Sequence, residues 1–136
     1  MVGDYFKMNT LVKEIEASDW SILLNQQSKP IMIMFYNPAC PHCKIMDPTF
    51  VENAEKFKDD VSFLKFNIQQ NQQIPYVYGV QSTPTFIFFC HGQPITVLTG
   101  AVHPSILKQA IKDGILHGKH CATKRTPINY EFTGYI

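Results

Sequence analysis

The sequence predicts an α/β fold in which a mixed central sheet is flanked by helices on both faces. Three observations predict it. Residues 31–36, Ile-Met-Ile-Met-Phe-Tyr, form a run with nothing polar in alternation, as expected of a central strand covered on both sides. After it, apolar residues recur every three or four positions from Cys43 to Phe57, the period of a helix with one buried stripe. Strand and helix patterns then alternate until two strand-like runs, 85–90 and 94–99, stand side by side before a last helix. The resulting order is β-α-β-α-β-α-β-β-α, in which the parallel part needs helical crossovers and the final pair forms a hairpin.

Each element has a local reason. A short strand is expected near Leu11 to Ile15. Ser18 then reads as an N-cap for a helix from Asp19 to about Gln27, with Trp20, Leu23 and Leu24 on its apolar side, ended by Lys29-Pro30. The second helix runs from Pro41 to about Lys58 and carries Cys43, Met46, Phe50, Ala54 and Phe57 inward. Pro41 sits where a missing N–H does no harm, whereas Pro48 lies inside the helix and should kink it. Val61 to Ile68 is a third strand, and Asn71 to Tyr78 a short helical turn containing proline. Thr85 to Cys90 and Pro94 to Thr99 pair across His91-Gly92-Gln93. Pro104 begins the last helix, expected to end near Leu116 with Ile106, Leu107, Ala110 and Ile111 inward. Residues 1–116 form one domain, and residues 117–136 are left as a tail of unclear structure.

Composition narrows the function. The chain has 136 residues, 45% of them hydrophobic, enough for one domain with a proper core. A net charge of +1 gives no broad attraction to nucleic acid. No apolar run is long enough to span a bilayer. The first residues, Met1-Val2-Gly3-Asp4-Tyr5-Phe6-Lys7-Met8, lack a basic region followed by a long apolar core, so a cytoplasmic location is expected. Four cysteines in a chain of this length are too few for a disulfide-stapled scaffold.

The chemistry lies in Cys40-Pro41-His42-Cys43. These residues follow the central strand and open the second helix. Two thiols three positions apart can close a disulfide across one turn. A helix N-terminus carries unpaired N–H groups and partial positive charge, which favour thiolate over thiol. Cys40 precedes the first turn and should face solvent, whereas Cys43 falls on the inward stripe and should be shielded. That asymmetry suits an attacking and a resolving thiol.

The motif Asn37-Pro38-Ala39-Cys40-Pro41-His42-Cys43-Lys44, together with the element order, resembles the thioredoxin family. The likeness covers about Leu11 to Leu116. Pro48 falls at the family's helix-kinking proline, and Lys65-Phe66-Asn67-Ile68 resembles its third strand. Tyr78-Gly79-Val80 followed by Ser82-Thr83-Pro84-Thr85 resembles the segment with its cis-proline, and Gly100 its glycine beside the substrate. The resemblance implies a thioredoxin fold, a cis Thr83–Pro84 bond, and a substrate strand held by Thr83 and Pro84 with room left by Gly100. It also implies a role for Lys65 near the thiols, although a strand lysine with its head in water is an equal reading.

The chain departs from the family in three places. The residues between the cysteines are Pro41-His42, the pair of the periplasmic oxidase DsbA, and not Gly-Pro. A protonated His42 beside Cys40 would stabilise the thiolate and make the pair more oxidising. The reference potentials of the two kinds of protein lie about 150 mV apart, about 7 kcal/mol for two electrons, so this dipeptide bears on direction. Ala39 stands where the family has a tryptophan before the first cysteine. Met34 stands at the family's buried aspartate, so Lys65 would lack its acidic neighbour and another group, Asp47 or a water, must take the proton of Cys43. Asp47 otherwise reads as a solvated helix residue.

The expected function is thiol–disulfide exchange through Cys40 and Cys43 with protein disulfides or dithiols, in maintenance of cell redox homeostasis. The expected protein is a monomer recycled by a reductase or a reduced redox partner, needing no metal or organic cofactor and binding neither nucleic acid nor membrane. A second reading is a redox-inactive binding module of the same fold. A third gathers His117, His120 and Cys121 with Cys40 and Cys43 around zinc, although that spacing matches no standard site. Cys90 and Cys121 are expected to be isolated thiols. Lys119, Lys124 and Arg125 read as a solvated tail, and Tyr130, Phe132 and Tyr135 imply that the tail packs on its own domain or a partner.

Overall fold

Every side chain of residues 31–35 is buried because this strand lies in the middle of the sheet, with helices on both sides. The computed structural model describes residues 11–26 and 29–123, with Gln26 and residues 118–123 by backbone alone. In chain order these are β1 (Val12–Glu14), a 3₁₀ turn (Ala17–Asp19), α1 (Trp20–Gln26), β2 (Ile31–Tyr36), α2 (Pro41–Phe57) and β3 (Ser62–Asn67). They continue with α3 (Gln73–Val77), β4 (Thr85–Cys90), β5 (Gln93–Thr99) and α4 (Pro104–Thr123). The five strands lie in the order β1-β3-β2-β4-β5. β3 runs parallel to both β1 and β2, while β4 is antiparallel to β2 and β5. This is the expected mixed sheet with a terminal hairpin.

Strand parity divides the interior into two cores. Met32 and Met34 of β2, with Phe86 and Phe88 of β4, point to one face and meet Met46, Phe50, Val51 and Ala54 of α2 and Leu107 and Ile111 of α4. Ile31, Ile33 and Phe35, with Ile87 and Phe89, point to the other and meet Trp20 and Leu24 of α1. Each fully buried side chain of this size contributes about 1.5–3 kcal/mol relative to exposure. Trp20 packs edge-on against Phe66 and Phe89, with ring centroids 5.4 and 6.0 Å away.

Several local expectations change. Ser18 is not an N-cap: it lies inside the 3₁₀ turn, which Glu16 precedes without a side-chain cap, and the α-helix begins at Trp20. The expected end of that helix at Gln27 lies outside the described residues. Phe57 is half-buried at the end of α2, where the stripe leaves the sheet. In α4, Leu107 and Ile111 are buried but Ile106 is 49% exposed, because one residue's rotation about the axis turns it off the packed stripe.

α4 also runs past Leu116 to Thr123, since Gly114 and Gly118 weaken a helix by only about 1 kcal/mol each without stopping it. Gly114 has a packing role. A Cβ there would stand 2.6 Å from the Phe88 ring, so its bare backbone lets α4 approach β4. The β4–β5 turn is His91-Gly92, both at positive φ (53° and 79°), while Gln93 already belongs to β5.

Candidate active site

The loop between β2 and α2 aims the first thiol. Asn37 Oδ1 accepts from the Ala39 N–H at 2.9 Å and from Gln69 Nε2 at 3.2 Å, and the Cys40 N–H donates to Asn37 O at 2.9 Å. Cys40 thereby becomes the N-cap of α2 in extended conformation, and Pro41 starts the helix. The sequence reading quoted Asn37 in its motif without giving it a role; an Asx residue four positions before the helix start was its signal.

Cys40 and Cys43 are both free thiols, Cys40 half-buried and Cys43 only 4% exposed. The Thr83–Pro84 bond is cis, and it brings Thr83 against the first cysteine. The Cys40 thiol donates to Thr83 O at 3.5 Å. A hydrogen bond from the Thr83 side chain favours the thiolate, helped by Cys43 and by the backbone of His42, and together they outweigh desolvation and lower Cys40 to about 7. Burial pushes the Cys43 thiol up, and the neighbouring Cys40 adds to the rise. The two sulfurs are thus separated in acidity by environment. His42 itself is exposed on the first turn, and Pro41 beside it is exposed as well.

Gly100 joins this cluster from β5. Its N–H donates to Pro84 O at 2.7 Å, its φ is +92°, and a Cβ there would meet nothing within 4 Å. Thr83 thus lies against Cys40, and Gly100, tied to Pro84, leaves open space where a side chain would stand.

Lys65 does not reach either sulfur in this way. Its Nζ pairs with Asp47 Oδ1 at 2.8 Å and lies 4.7 Å above the Tyr36 ring, whose hydroxyl donates to Glu14. Lys65 consequently has an acidic neighbour, contrary to the expectation drawn from Met34, and Asp47 is ion-paired instead of merely solvated. Met34 is 1% exposed and fills the first core.

A further correction concerns Cys90, which is disulfide-bonded and not an isolated thiol. It ends β4, the strand against which α4 packs. Among the described residues no three His, Cys, Asp or Glu side chains could hold a metal ion; the side chains of His120 and Cys121 lie outside them. His117 is exposed.

The thioredoxin family model matches residues 11–113. The chain is 31% identical over 104 residues to the thioredoxin of Haemophilus influenzae, covering 76% of this chain and 97% of that one. It is 30% identical to the chloroplastic M-type thioredoxin of Brassica napus, over 75% of this chain and 58% of that one. The chain thus spans a little over half the length of the chloroplastic M-type relatives. In structure it is similar to the thioredoxin of Malassezia sympodialis, with a TM-score of 0.70, 31% identity, and coverage of 76% of this chain and 90% of that one. The thioredoxin of Nicotiana alata gives a TM-score of 0.71 at 26% identity, over 76% of this chain and 92% of that one.

Proposed function

The chain belongs to the thioredoxin family, and on that premise we propose that it exchanges disulfides with proteins through Cys40 and Cys43. Family members are thiol–disulfide oxidoreductases; the acidified Cys40 beside a protonated, buried Cys43 carries the reading to this chain.

The Cys40 thiolate attacks one sulfur of a substrate disulfide. That S–S bond breaks, the far sulfur leaves as a thiolate and takes a proton from solvent, and a mixed disulfide remains. Cys43 then loses its proton and attacks the Cys40 sulfur. The Cys40–substrate bond breaks, the second substrate sulfur leaves, and the Cys40–Cys43 bond holds the two electrons' worth of oxidation. Run backwards, the steps oxidise a dithiol. The backbone around Thr83, Pro84 and Gly100, with open space at Gly100, suits an extended substrate segment beside Cys40.

A Cys40 near 7 resembles a reductase thiol, since strong oxidants of this fold hold theirs near 3.5. This favours reduction or isomerisation over forced oxidation, despite Pro41-His42. The protein would then be recycled by a reductase or a reduced partner and serve redox homeostasis as a monomer. Among the described residues no helix is long and apolar enough to cross a membrane.

The test is insulin reduction with dithiothreitol as electron source. Wild-type protein is expected to accelerate precipitation of the insulin B chain, and Cys40→Ser to fall to the uncatalysed rate. Equal rates for the two would end the proposal.

A further inference from the structure

We propose that Asp47, held by Lys65, receives the proton that Cys43 gives up when it attacks the mixed disulfide. This rests on the exchange reaction proposed above.

The need is chemical. Only a thiolate attacks a disulfide, and Cys43 is buried at 4% exposure, where charge is disfavoured. A buried thiol that must ionise at neutral pH requires an acceptor within reach, directly or through one water. Met34, buried on the sheet face that α2 covers, offers no oxygen.

Asp47 meets the geometric conditions. It lies four residues after Cys43 on α2, so their Cβ atoms are neighbours at about 6 Å. Helical side chains lean toward the helix N-terminus, which tips Asp47 over the turn holding Cys43. Its carboxylate is tethered: Oδ1 takes Lys65 Nζ at 2.8 Å from β3. Among the described residues no hydrogen bond occupies Oδ2. Lys65 is itself fixed over the Tyr36 ring of β2, and Tyr36 donates to Glu14 of β1. Val12 and Glu14, Met34 and Tyr36, and Phe63 and Lys65 share the sheet face that α2 covers, by strand parity.

The charged surroundings are few. On α2 itself they are Cys40, His42 and Lys44, of which the last two are exposed. β3 presents Lys65, β2 presents Tyr36, and β1 presents Glu14. α4 faces α2 with Leu107 and Ile111; its Lys108 stands beside Lys56, close to Lys112 and Glu52, toward the other end of α2. Asp47 is thus the carboxylate nearest Cys43 along α2, and Lys65 is its positioning residue.

In the step, the Cys43 S–H bond breaks and its proton passes to the Asp47 carboxylate. The Cys43–Cys40 bond forms as the Cys40–substrate bond breaks. The departing substrate thiolate is reprotonated, and Asp47 returns its proton to solvent. No outside oxidant or reductant enters this half.

The experiment mixes the reduced protein with one equivalent of 5,5′-dithiobis(2-nitrobenzoate) in a stopped-flow instrument across pH 5–10. The first release of coloured thiolate reads the attack of Cys40, and the second reads the attack of Cys43. For Asp47→Asn the expected result is an unchanged first phase, a second phase slowed about tenfold at pH 7, and a pH profile of that phase displaced to the alkaline side. Asp47→Glu should restore much of the rate. Asp47→Ser should behave as Asp47→Asn, which covers failure of either variant to fold, judged by circular dichroism. A second phase with unaltered rate and pH profile in folded Asp47→Asn or Asp47→Ser overturns the proposal. Absence of a second phase in wild type would instead overturn the exchange reaction.

Discussion

Cys40 owes its acidity to a neighbour 43 positions along the chain, because the Thr83 side chain supplies the largest favourable interaction on its sulfur. The sign follows directly. A thiol lowered from 9.0 to about 7 is protonated and inert below pH 6, half ionised near 7, and fully nucleophilic above 8. Alkylation of the reduced protein by iodoacetamide should therefore rise through a midpoint near pH 7, with Cys43 unreactive until higher pH. Thr83→Val removes the hydroxyl but keeps the shape. It should move that midpoint upward and slow alkylation at pH 6–7 by about three- to tenfold, the net worth of one ordinary hydrogen bond. At this scale the two thiols, the cis-proline and Gly100 were legible, since short motifs carried them. Asp47 was named as a possible proton acceptor, but its pairing with Lys65 was not foreseen, because that requires knowing that α2 crosses β3 at that height. Cys90 was missed for the same kind of reason: a disulfide is a statement about space, and spacing in the chain does not contain it.

Elements were read well in their interiors and less well at their ends. β2 and α2 showed strong periods, and both appear within a residue of expectation. α1 and α4 depended on caps, and there local preference yielded to packing. Two glycines make this testable. Gly114→Ala would normally strengthen a helix by about 1 kcal/mol, but here the new methyl meets the Phe88 ring at 2.6 Å. Overpacking of this kind costs about 1–3 kcal/mol, so thermal unfolding should show a net loss, and Phe88→Leu in the same chain should recover part of it. Gly100 is the opposite case, with open space and φ of +92°. Gly100→Ala should cost about 1–2 kcal/mol through its backbone alone. It should also raise KM for insulin, while the reaction of Cys40 with a small aromatic disulfide stays unchanged.

The whole molecule is a sheet with different contents on its two sides. The redox pair, Asp47 and Lys65 lie with α2 and α4, whereas Trp20 lies with α1 among Phe35, Phe66, Tyr78 and Phe89. Trp20→Ala should remove about 3–5 kcal/mol, because its ring is the hub of that aromatic group. If Cys90 stays bonded where the protein works, alkylation of the unfolded protein without reductant should label the free thiols Cys40 and Cys43 and leave Cys90 unlabelled. The position of Trp20 also has a practical result. It is the chain's single indole, and it packs on the sheet face opposite the one that α2 covers. Its emission should follow loss of the native state in denaturant yet ignore a change from dithiol to bridge, giving the laboratory a fluorescent gauge of unfolding that redox chemistry does not disturb.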